Sequence, residues 1–212
     1  MKLSALDQSP IRKGGTAADA VRETIALAKA CEGFGYARYW LAEHHNTSSF
    51  AGSTPEVLIA RVAAETSRMR IGSGGIMLPH YSPLKVAENF RMLETLYPGR
   101  VDLAIGRAPG ADGRTSVALQ AGPQAWDVGV FPQQAALLRH YLEEAAGLAE
   151  WPENHPYRQI HASPRGPGVP EMWMLASSVN GALYAAELGL PLAFAQFISP
   201  DGQGPEAAEH YR

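Results

Sequence analysis

The chain has 212 residues, of which 46% are hydrophobic and 18% charged, and this composition and length fit one globular domain with a sizeable core. Its formal net charge of -3 argues against nucleic acid or anionic membrane as a general partner, because the 18 Lys and Arg are scattered. The single cysteine, Cys31, excludes internal disulfides and thiolate metal clusters, and the absence of a long apolar run predicts a cytoplasmic protein with no membrane span.

The first 110 residues alternate predicted strands with predicted helices. Strands are predicted at residues 2–7, 36–42, 70–78 and 100–106. They begin 34, 34 and 30 residues apart (2 to 36, 36 to 70, 70 to 100), and such spacing is typical of repeated βα units with a parallel sheet. The sheet could be open and doubly wound or a barrel. No G-x-G-x-x-G follows the first strand, and this fingerprint would favour the open sheet.

The helix boundaries are predicted from capping signals. Thr16 opens the first helix, with Asp19 three residues on in a capping pattern. Gly33 is expected to supply the left-handed cap at the end of that helix. The second helix is expected to start at Ser53 or Thr54, with Glu56 available for reciprocal capping.

The alternation stops between residues 109 and 170. This stretch is rich in Gly and Pro and is predicted to be loop-like, apart from a helix at about residues 132–148. We interpret residues 109–170 as a long insertion over one face of the sheet, of the kind that carries substrate contacts.

Beyond residue 170 the alternation resumes. Strands are predicted at residues 171–177 and 190–198, with a helix at 179–188 between them. Residues 199–212 are predicted to form a turn and the start of a helix. The total is six strands, whereas a closed (β/α)8 barrel has eight and typically about 250 residues.

Three ionisable residues, Glu43, His44 and His45, follow the second predicted strand, at the end where parallel α/β folds place their functional groups. Adjacent side chains on a strand point to opposite faces, whereas a metal-chelating pair of histidines would be two residues apart. We therefore expect one imidazole to face a pocket as an acid-base group and the other to pack or hydrogen-bond behind it. A metal site and a pair of ordinary core histidines remain as alternatives.

The third predicted strand contains Gly72, Gly74 and Gly75. Interior glycines weaken a strand but allow a flat or bulky group to approach its backbone. The functional hypothesis is a planar ring against the strand end. A β-bulge or tight packing against a neighbouring element is the structural alternative.

An anion site is predicted from the next two strands. Arg107 follows strand four, and Ser177 and Ser178 stand at the turn from strand five into a helix. A guanidinium group, serine hydroxyls and helix N–H groups together suit a phosphate. A surface salt bridge for the arginine and simple N-capping for the serines are the alternatives. Flavin mononucleotide (FMN) would use all three features: a surface for its planar ring, a site for its phosphate and an imidazole beside an acid.

Residues 41–110 and 177–195, above all the E-H-H and Y-S-P-L-K-V-A-E blocks, closely resemble the bacterial luciferase-like, flavin-dependent monooxygenase family. The resemblance implies a (β/α)8 barrel that binds reduced FMN, supplied by a separate flavin reductase, at the C-terminal face. It also implies reaction of the flavin with O2 to a C4a-hydroperoxide, which oxidises an aldehyde-like or other small organic substrate. Family members are often dimers, so a homodimer is expected.

The resemblance also implies roles for single residues. His44 matches the catalytic histidine, while Glu43 and His45 match supporting residues of the motif. The residues that match cofactor-binding positions are Gly74, Gly75, Arg107, Ser177 and Ser178. In this family the Gly74-Gly75 position carries a non-prolyl cis peptide bond beside the flavin ring.

The length of the chain departs from the family pattern. Members are usually much longer, so we expect one domain over residues 1–212 that forms an incomplete barrel lacking strands seven and eight. Three explanations are compatible with the short length: a fragment, a chain that dimerises to close the gap in the barrel, and a natural short form. The alternative functions are a non-catalytic flavin-binding protein, an oxidoreductase that uses the deazaflavin F420, and a metal-dependent barrel hydrolase.

Overall fold

The computed structural model describes residues 1–108, 111–120, 128–198 and 203–212. The strands are β1 (Ser4–Asp7), β2 (Arg38–Leu41), β3 (Arg70–Met77), β4 (Val101–Gly106), β5 (Glu171–Ala176) and β6 (Leu192–Phe194). The helices are α1 (Ala17–Gly33), α2 (Pro55–Ala64), α3 (Pro83–Leu96), α4 (Gly113–Leu119), α5 (Phe131–Ala145), α6 (Val179–Glu187) and α7 (Gln203–Tyr211). Two short 3-10 helices span Leu78–His80 and Val128–Val130.

The six strands form one sheet whose spatial order is the chain order, and each neighbouring pair is parallel. In a doubly wound sheet the order reverses at a switch point, whereas a barrel adds each strand beside the previous one. The fold is therefore an incomplete (β/α)8-type barrel with six βα units, as predicted. Within the described residues, β1 and β6 each pair on one side only.

The main core lies between the sheet and the helices. Tyr39, Ile71 and Leu103 on the strands pack with Ile59 and Phe90 on the helices, and all five are at most 1% exposed. Because parallel strands are covered on both faces, β3 and β4 are buried at every position except Arg70.

An ionic cluster closes the N-terminal end of the sheet. The buried Asp102 carboxylate accepts hydrogen bonds from Arg38 Nε (3.0 Å), Arg70 Nε (2.6 Å) and Trp40 Nε1 (2.9 Å). Arg38 also contacts Glu171 at 2.9 Å. These groups satisfy one another's hydrogen bonds and charges, as buried ionic groups require.

The start of the first helix is as predicted, and its end is not. Thr16 is the N-cap, and it exchanges hydrogen bonds with Asp19 in a complete capping box. The prediction for Gly33 is wrong because α1 continues through this residue. The left-handed residue is Gly35, with φ of 79°, two positions later.

The predicted capping role of Glu56 is also wrong. Thr54 makes no side-chain capping bond, and the Glu56 carboxylate instead faces α3, where Asn89 donates to it at 3.4 Å. Contact with the neighbouring helix has replaced the local interaction. Burial raises the pKa of Glu56 above its ordinary value.

The insertion contains more structure than predicted. Helix α4 was not expected, and its N-cap is Asp112, whose carboxylate accepts from the N–H groups of Arg114 and Thr115 at 2.9 and 3.1 Å. The predicted helix at 132–148 is observed as α5. The predicted loop positions 109–110 and 121–127 lie outside the described residues.

The C-terminal part is close to the prediction. Strand β6 is three residues long and thus shorter than predicted. The predicted helix start is observed as α7, and the predicted turn at 199–202 lies outside the described residues. Across the described ranges, no helix has both the length and the apolar character needed to cross a membrane.

Candidate active site

A cavity of about 210 Å³ lies at the C-terminal ends of the strands. The structure brings together there six of the eight residues predicted for the site, namely Glu43, His44, Gly74, Arg107, Ser177 and Ser178. The other two, Gly75 and His45, do not line it. The topology explains this meeting, because parallel strands in barrel order present all their C-terminal ends at one side.

The walls of the cavity are mostly apolar. They include Leu6, Met77, Phe131, Met174 and Tyr184. Leu6 of β1 is 41% exposed, and Phe197 and Ile198 after β6 are 65% and 58% exposed. The cavity is therefore open on the side of the two edge strands.

Glu43 is the centre of a buried hydrogen-bond network. Its side chain follows β2, and the residue is 2% exposed. Oε1 accepts from the Tyr81 hydroxyl at 2.8 Å and lies 2.7 Å from His45 Nε2, while Oε2 accepts from the Met77 N–H at 3.1 Å. A buried carboxylate is costly unless it is hydrogen-bonded, and three partners satisfy this one. The network ties the end of β2 to the end of β3.

Tyr81 is the member of this network that the sequence analysis missed. Burial, with a further contribution from the Glu43 charge, raises the pKa of Tyr81, so its hydroxyl stays protonated and donates. The hydroxyl oxygen also lies 3.3 Å from His45 Nε2. Tyr81 belongs to the Y-S-P-L-K block, but nothing in that pattern indicates a partner 38 residues earlier.

The two adjacent histidines have different environments. His44 faces the cavity, whereas His45 is turned back towards Glu43 and Tyr81. Both histidines lie beyond the end of β2 at Leu41, and the contacts of His45 with Glu43 and Tyr81 hold its ring away from the cavity. Within the described residues, no group of three or more metal-ligating side chains is close enough to hold an ion.

His44 has the properties of a neutral imidazole. Burial lowers its pKa below the ordinary value, although the nearby Glu43 charge opposes this and His45 adds to it. Its Nδ1 is buried and has no hydrogen-bond partner within the described residues. The protonated form would place an unpaired N–H donor there, which disfavours the charge further.

Gly74 and Gly75 lie where β3 passes close to its neighbours. The peptide bond between them is cis, as the family resemblance implied. A Cβ at Gly74 would lie 2.6 Å from Leu6 Cδ1, and one at Gly75 would lie 2.7 Å from the Ala104 carbonyl oxygen. The register with β4 shifts between Gly74 and Ile76. Both structural alternatives, tight packing and an irregular strand, are therefore present.

Arg107 follows β4 and is half-buried at the cavity. Within the described residues, no carboxylate lies within ion-pair distance of it. The alternative of a salt bridge is thus not observed among those residues. A guanidinium without a counter-charge at a cavity can bind an anionic ligand.

Ser177 and Ser178 lie between β5 and α6 on the same cavity. Ser178 is the N-cap of α6, and its hydroxyl accepts from the Gly181 N–H at 3.4 Å, so the capping alternative holds for this serine. Ser177 makes no side-chain hydrogen bond within the described residues. Its hydroxyl and the first N–H groups of α6 can bind an anion.

The family model for luciferase-like monooxygenases matches residues 1–212. The chain belongs to this family. The luciferase-like chain is 48% identical over 202 residues to the uncharacterized protein YwcH of Bacillus subtilis, a match covering 95% of this chain and 59% of that protein. It is 42% identical over 199 residues to the N-acetyl-S-alkylcysteine monooxygenase of the same organism, covering 94% and 58%. The resemblance seen in the sequence is confirmed.

Solved structures share the fold of this chain. The crystal structure of apo-MsnO8 superimposes with a TM-score of 0.89 at 43% identity and covers 100% of this luciferase-like chain and 60% of that one. A type II Baeyer-Villiger monooxygenase in complex with FMN and an F420-dependent secondary alcohol dehydrogenase, at 20% and 16% identity and TM-scores of 0.69, share the fold. The chain thus spans about 60% of the length of its relatives.

Proposed function

We propose that residues 1–212 form one barrel domain that binds the flavin of an FMN-dependent monooxygenase. The observation that carries this proposal is the meeting of Arg107, Ser177 and His44 on one apolar cavity in a chain of the luciferase-like family. The family is one of monooxygenases, and the cofactor, the substrate and the individual roles below are what we infer.

The phosphate of FMN is proposed to bind between Arg107 and the turn that starts α6. Arg107 has no carboxylate partner within the described residues, and the Ser177 hydroxyl is free of side-chain hydrogen bonds there. The N-terminal N–H groups of α6 add partial positive charge. The donors on this side of the cavity therefore fit a dianionic group.

The ring system is proposed to lie against the end of β3, beside Gly74 and Gly75. Gly74 lines the cavity without a side chain, and the Met77 and Met174 side chains supply apolar walls around it. Methionine adapts to flat ligands, since its side chain is flexible and polarisable. These groups fit a planar ring whose faces contact apolar side chains.

The bound reduced flavin would supply the electrons and activate O2 for insertion of one oxygen atom into the substrate. His44 is proposed to act as the catalytic base, because its neutral imidazole faces the cavity and can take up and return a proton. Glu43 and His45 are proposed to hold the end of β2 in place, which orients His44. A separate flavin reductase is proposed as the source of reduced FMN, and a homodimer as the assembly.

The apolar walls favour a small organic substrate with little charge. An aldehyde is one such class, and an alkyl thioether is another, in line with the name of the N-acetyl-S-alkylcysteine monooxygenase. Both are compatible with walls built from Leu6, Phe131 and Tyr184.

Flavin titration tests the proposal. Purified cofactor-free chain is titrated with FMN, with riboflavin, which lacks the phosphate, and with F420, and binding is followed by fluorescence and calorimetry. Arg107→Ala should weaken FMN binding about 10- to 100-fold, the equivalent of one charged hydrogen-bonded contact, and leave riboflavin binding unchanged. Arg68→Ala, an exposed arginine at the opposite end of the sheet, is the control.

Two results would contradict the proposal. One is a folded chain, by circular dichroism, that binds no flavin. The other is an FMN affinity that does not depend on Arg107. Oxygen consumption with reduced FMN, measured with and without His44→Ala, then distinguishes a monooxygenase from a protein that only binds flavin.

A further inference from the structure

Phe50 packs on the imidazole of His44. The two ring centroids are 4.8 Å apart, and the ring planes are inclined by 33°. Phe50 is half-buried and is not among the residues that line the cavity. None of the roles proposed above uses this residue.

The loop that carries Phe50 is held at several points. Residues 49–51 pair with residues 9–11 through backbone hydrogen bonds of 2.8 and 2.9 Å. The His44 N–H donates to the Gly52 carbonyl at 2.9 Å, which anchors the same loop to the end of β2. A Cβ at Gly52 would lie only 3.0 Å from the Ala42 carbonyl oxygen, so the loop approaches β2 closely. The position of Phe50 relative to His44 is therefore set by the backbone.

We infer that Phe50 is a positioning residue for His44, which holds the imidazole towards the cavity and keeps water from the ring face that it covers. The inference rests on the proposed function only in its last step, where His44 acts as a base. The packing of the two rings and its effect on the proton of His44 belong to the chain alone.

The physical effect of the phenyl ring is desolvation. Water stabilises an imidazolium ion. A phenyl ring on one face removes that water and offers no lone pair to a ring N–H, and the attraction between a cation and the phenyl face returns only part of the stabilisation that is lost. The unpartnered Nδ1 of His44 is consistent with this cover. Phe50 thus favours the neutral form of His44.

The charged groups beside His44 in the chain and on the neighbouring strands have contacts of their own. Glu43 is engaged by three hydrogen bonds, and His45 is turned towards Glu43. Asp7 at the end of β1 accepts from the Ser9 N–H and from two hydroxyl groups, while Arg107 reaches the cavity from β4. Within the described residues, none of these side chains is hydrogen-bonded to the His44 imidazole, so substitution of Phe50 changes hydration and leaves these charges in place.

The test uses NMR titration of His44 in the cofactor-free chain. Phe50→Ala should raise the midpoint of the His44 titration above that of the unsubstituted chain, because water reaches the imidazole. Phe50→Tyr keeps the ring and should retain the original midpoint. Phe34→Ala, which removes a phenyl ring that is 82% exposed at the end of α1, is the matched control and should also leave it unchanged.

A Phe50→Ala midpoint equal to that of the unsubstituted chain would overturn the inference. If that variant does not fold, nuclear Overhauser effects between the Phe50 and His44 rings are measured in the unsubstituted chain. Their absence overturns the inference as well. A purely structural role for Phe50 would change the unfolding transition and leave the His44 titration where it was.

Activity provides an independent comparison. With reduced FMN and O2, Phe50→Ala should lower kcat and leave the Kd for FMN unchanged, since Phe50 does not line the cavity. Failure of the chain to bind FMN would refute the proposed function, yet the NMR titration would still report on Phe50 and His44. The two failures are therefore distinguishable.

Discussion

Replacement of Tyr81 by phenylalanine removes one hydroxyl from the Glu43 network and keeps the aromatic ring in place. The hydroxyl donates to the buried Glu43 carboxylate at 2.8 Å, and the remaining partners of that carboxylate are the Met77 N–H and His45. Tyr97→Phe is the matched control. Its hydroxyl lies at the other end of α3 and donates to the neutral Ala60 carbonyl, also at 2.8 Å.

The expected magnitudes follow from the charge of the acceptor. A hydrogen bond to a charged group contributes about 1.5–3 kcal/mol to stability, and one between neutral groups contributes about 0.5–1.5 kcal/mol. Tyr81→Phe should therefore lower the free energy of unfolding by about 1 kcal/mol more than Tyr97→Phe does. The difference is meaningful because both variants lose one hydroxyl from a half-buried tyrosine.

Urea unfolding at neutral pH, followed by circular dichroism, measures both variants. A second pair, made in the Glu43→Gln background, closes a double-mutant cycle. If the Tyr81 hydroxyl acts through Glu43, the cost of Tyr81→Phe should fall in that background, while the cost of Tyr97→Phe should not. Equal losses for the two tyrosines, or a cost of Tyr81→Phe that does not depend on residue 43, would refute the reasoning.

Two further predictions concern residues outside the cavity, one in α1 and one in β3. Burial opposes the ionisation of Glu32, but hydrogen bonds from the N–H groups of residues 67–69 outweigh it and lower its pKa from 4.5 to about 2. Glu32 therefore stabilises the fold above pH 4.5, and this contribution is lost as the pH falls towards 2. Glu32→Gln should be less stable at neutral pH and flatten the pH dependence of urea unfolding in that window, and an unchanged slope would contradict the assignment. Gly72→Ala should cost about 1–3 kcal/mol, because its Cβ would lie 2.4 Å from the Asp102 carbonyl oxygen. Gly33→Ala, with no atom within 4 Å of the added Cβ, should leave the melting temperature unchanged or raise it, and equal losses for both would exclude the steric explanation.

Local and periodic features of this fold could be predicted from the chain itself. The regular spacing of the apolar strands indicates parallel βα units, and the capping box of Thr16 and Asp19 is visible because its two residues are three positions apart. The same kind of local signal failed for Gly33 and Glu56. The chain has a second glycine, Gly35, which takes the left-handed conformation two positions after Gly33. The Glu56 carboxylate is placed by contact with the neighbouring helix.

The candidate site also combines features that local sequence signals predict with features that only long-range contacts produce. The positions of His44, Arg107 and Ser177 follow from strand topology once the strands are recognised, and all three line one cavity. Tyr81 and the Met77 N–H were not predicted as partners of Glu43, because a backbone donor has no sequence signature and Tyr81 is 38 residues away. Phe50 was missed because its loop reaches His44 through pairing with residues 9–11.

The order of apolar and polar residues by itself determined the six βα units and the end of the sheet that carries the polar groups, and the resemblance of the E-H-H and Y-S-P-L-K-V-A-E blocks indicated the luciferase-like family. Tertiary structure alone decided which imidazole faces the cavity, what satisfies the Glu43 carboxylate and why Gly72 and Gly75 leave no room for a Cβ beside the backbone of β4. The physical reason is distance along the chain. Periodicity and capping act between neighbours and are written in short stretches, whereas hydrogen bonding and close packing in the site join residues that only folding brings together.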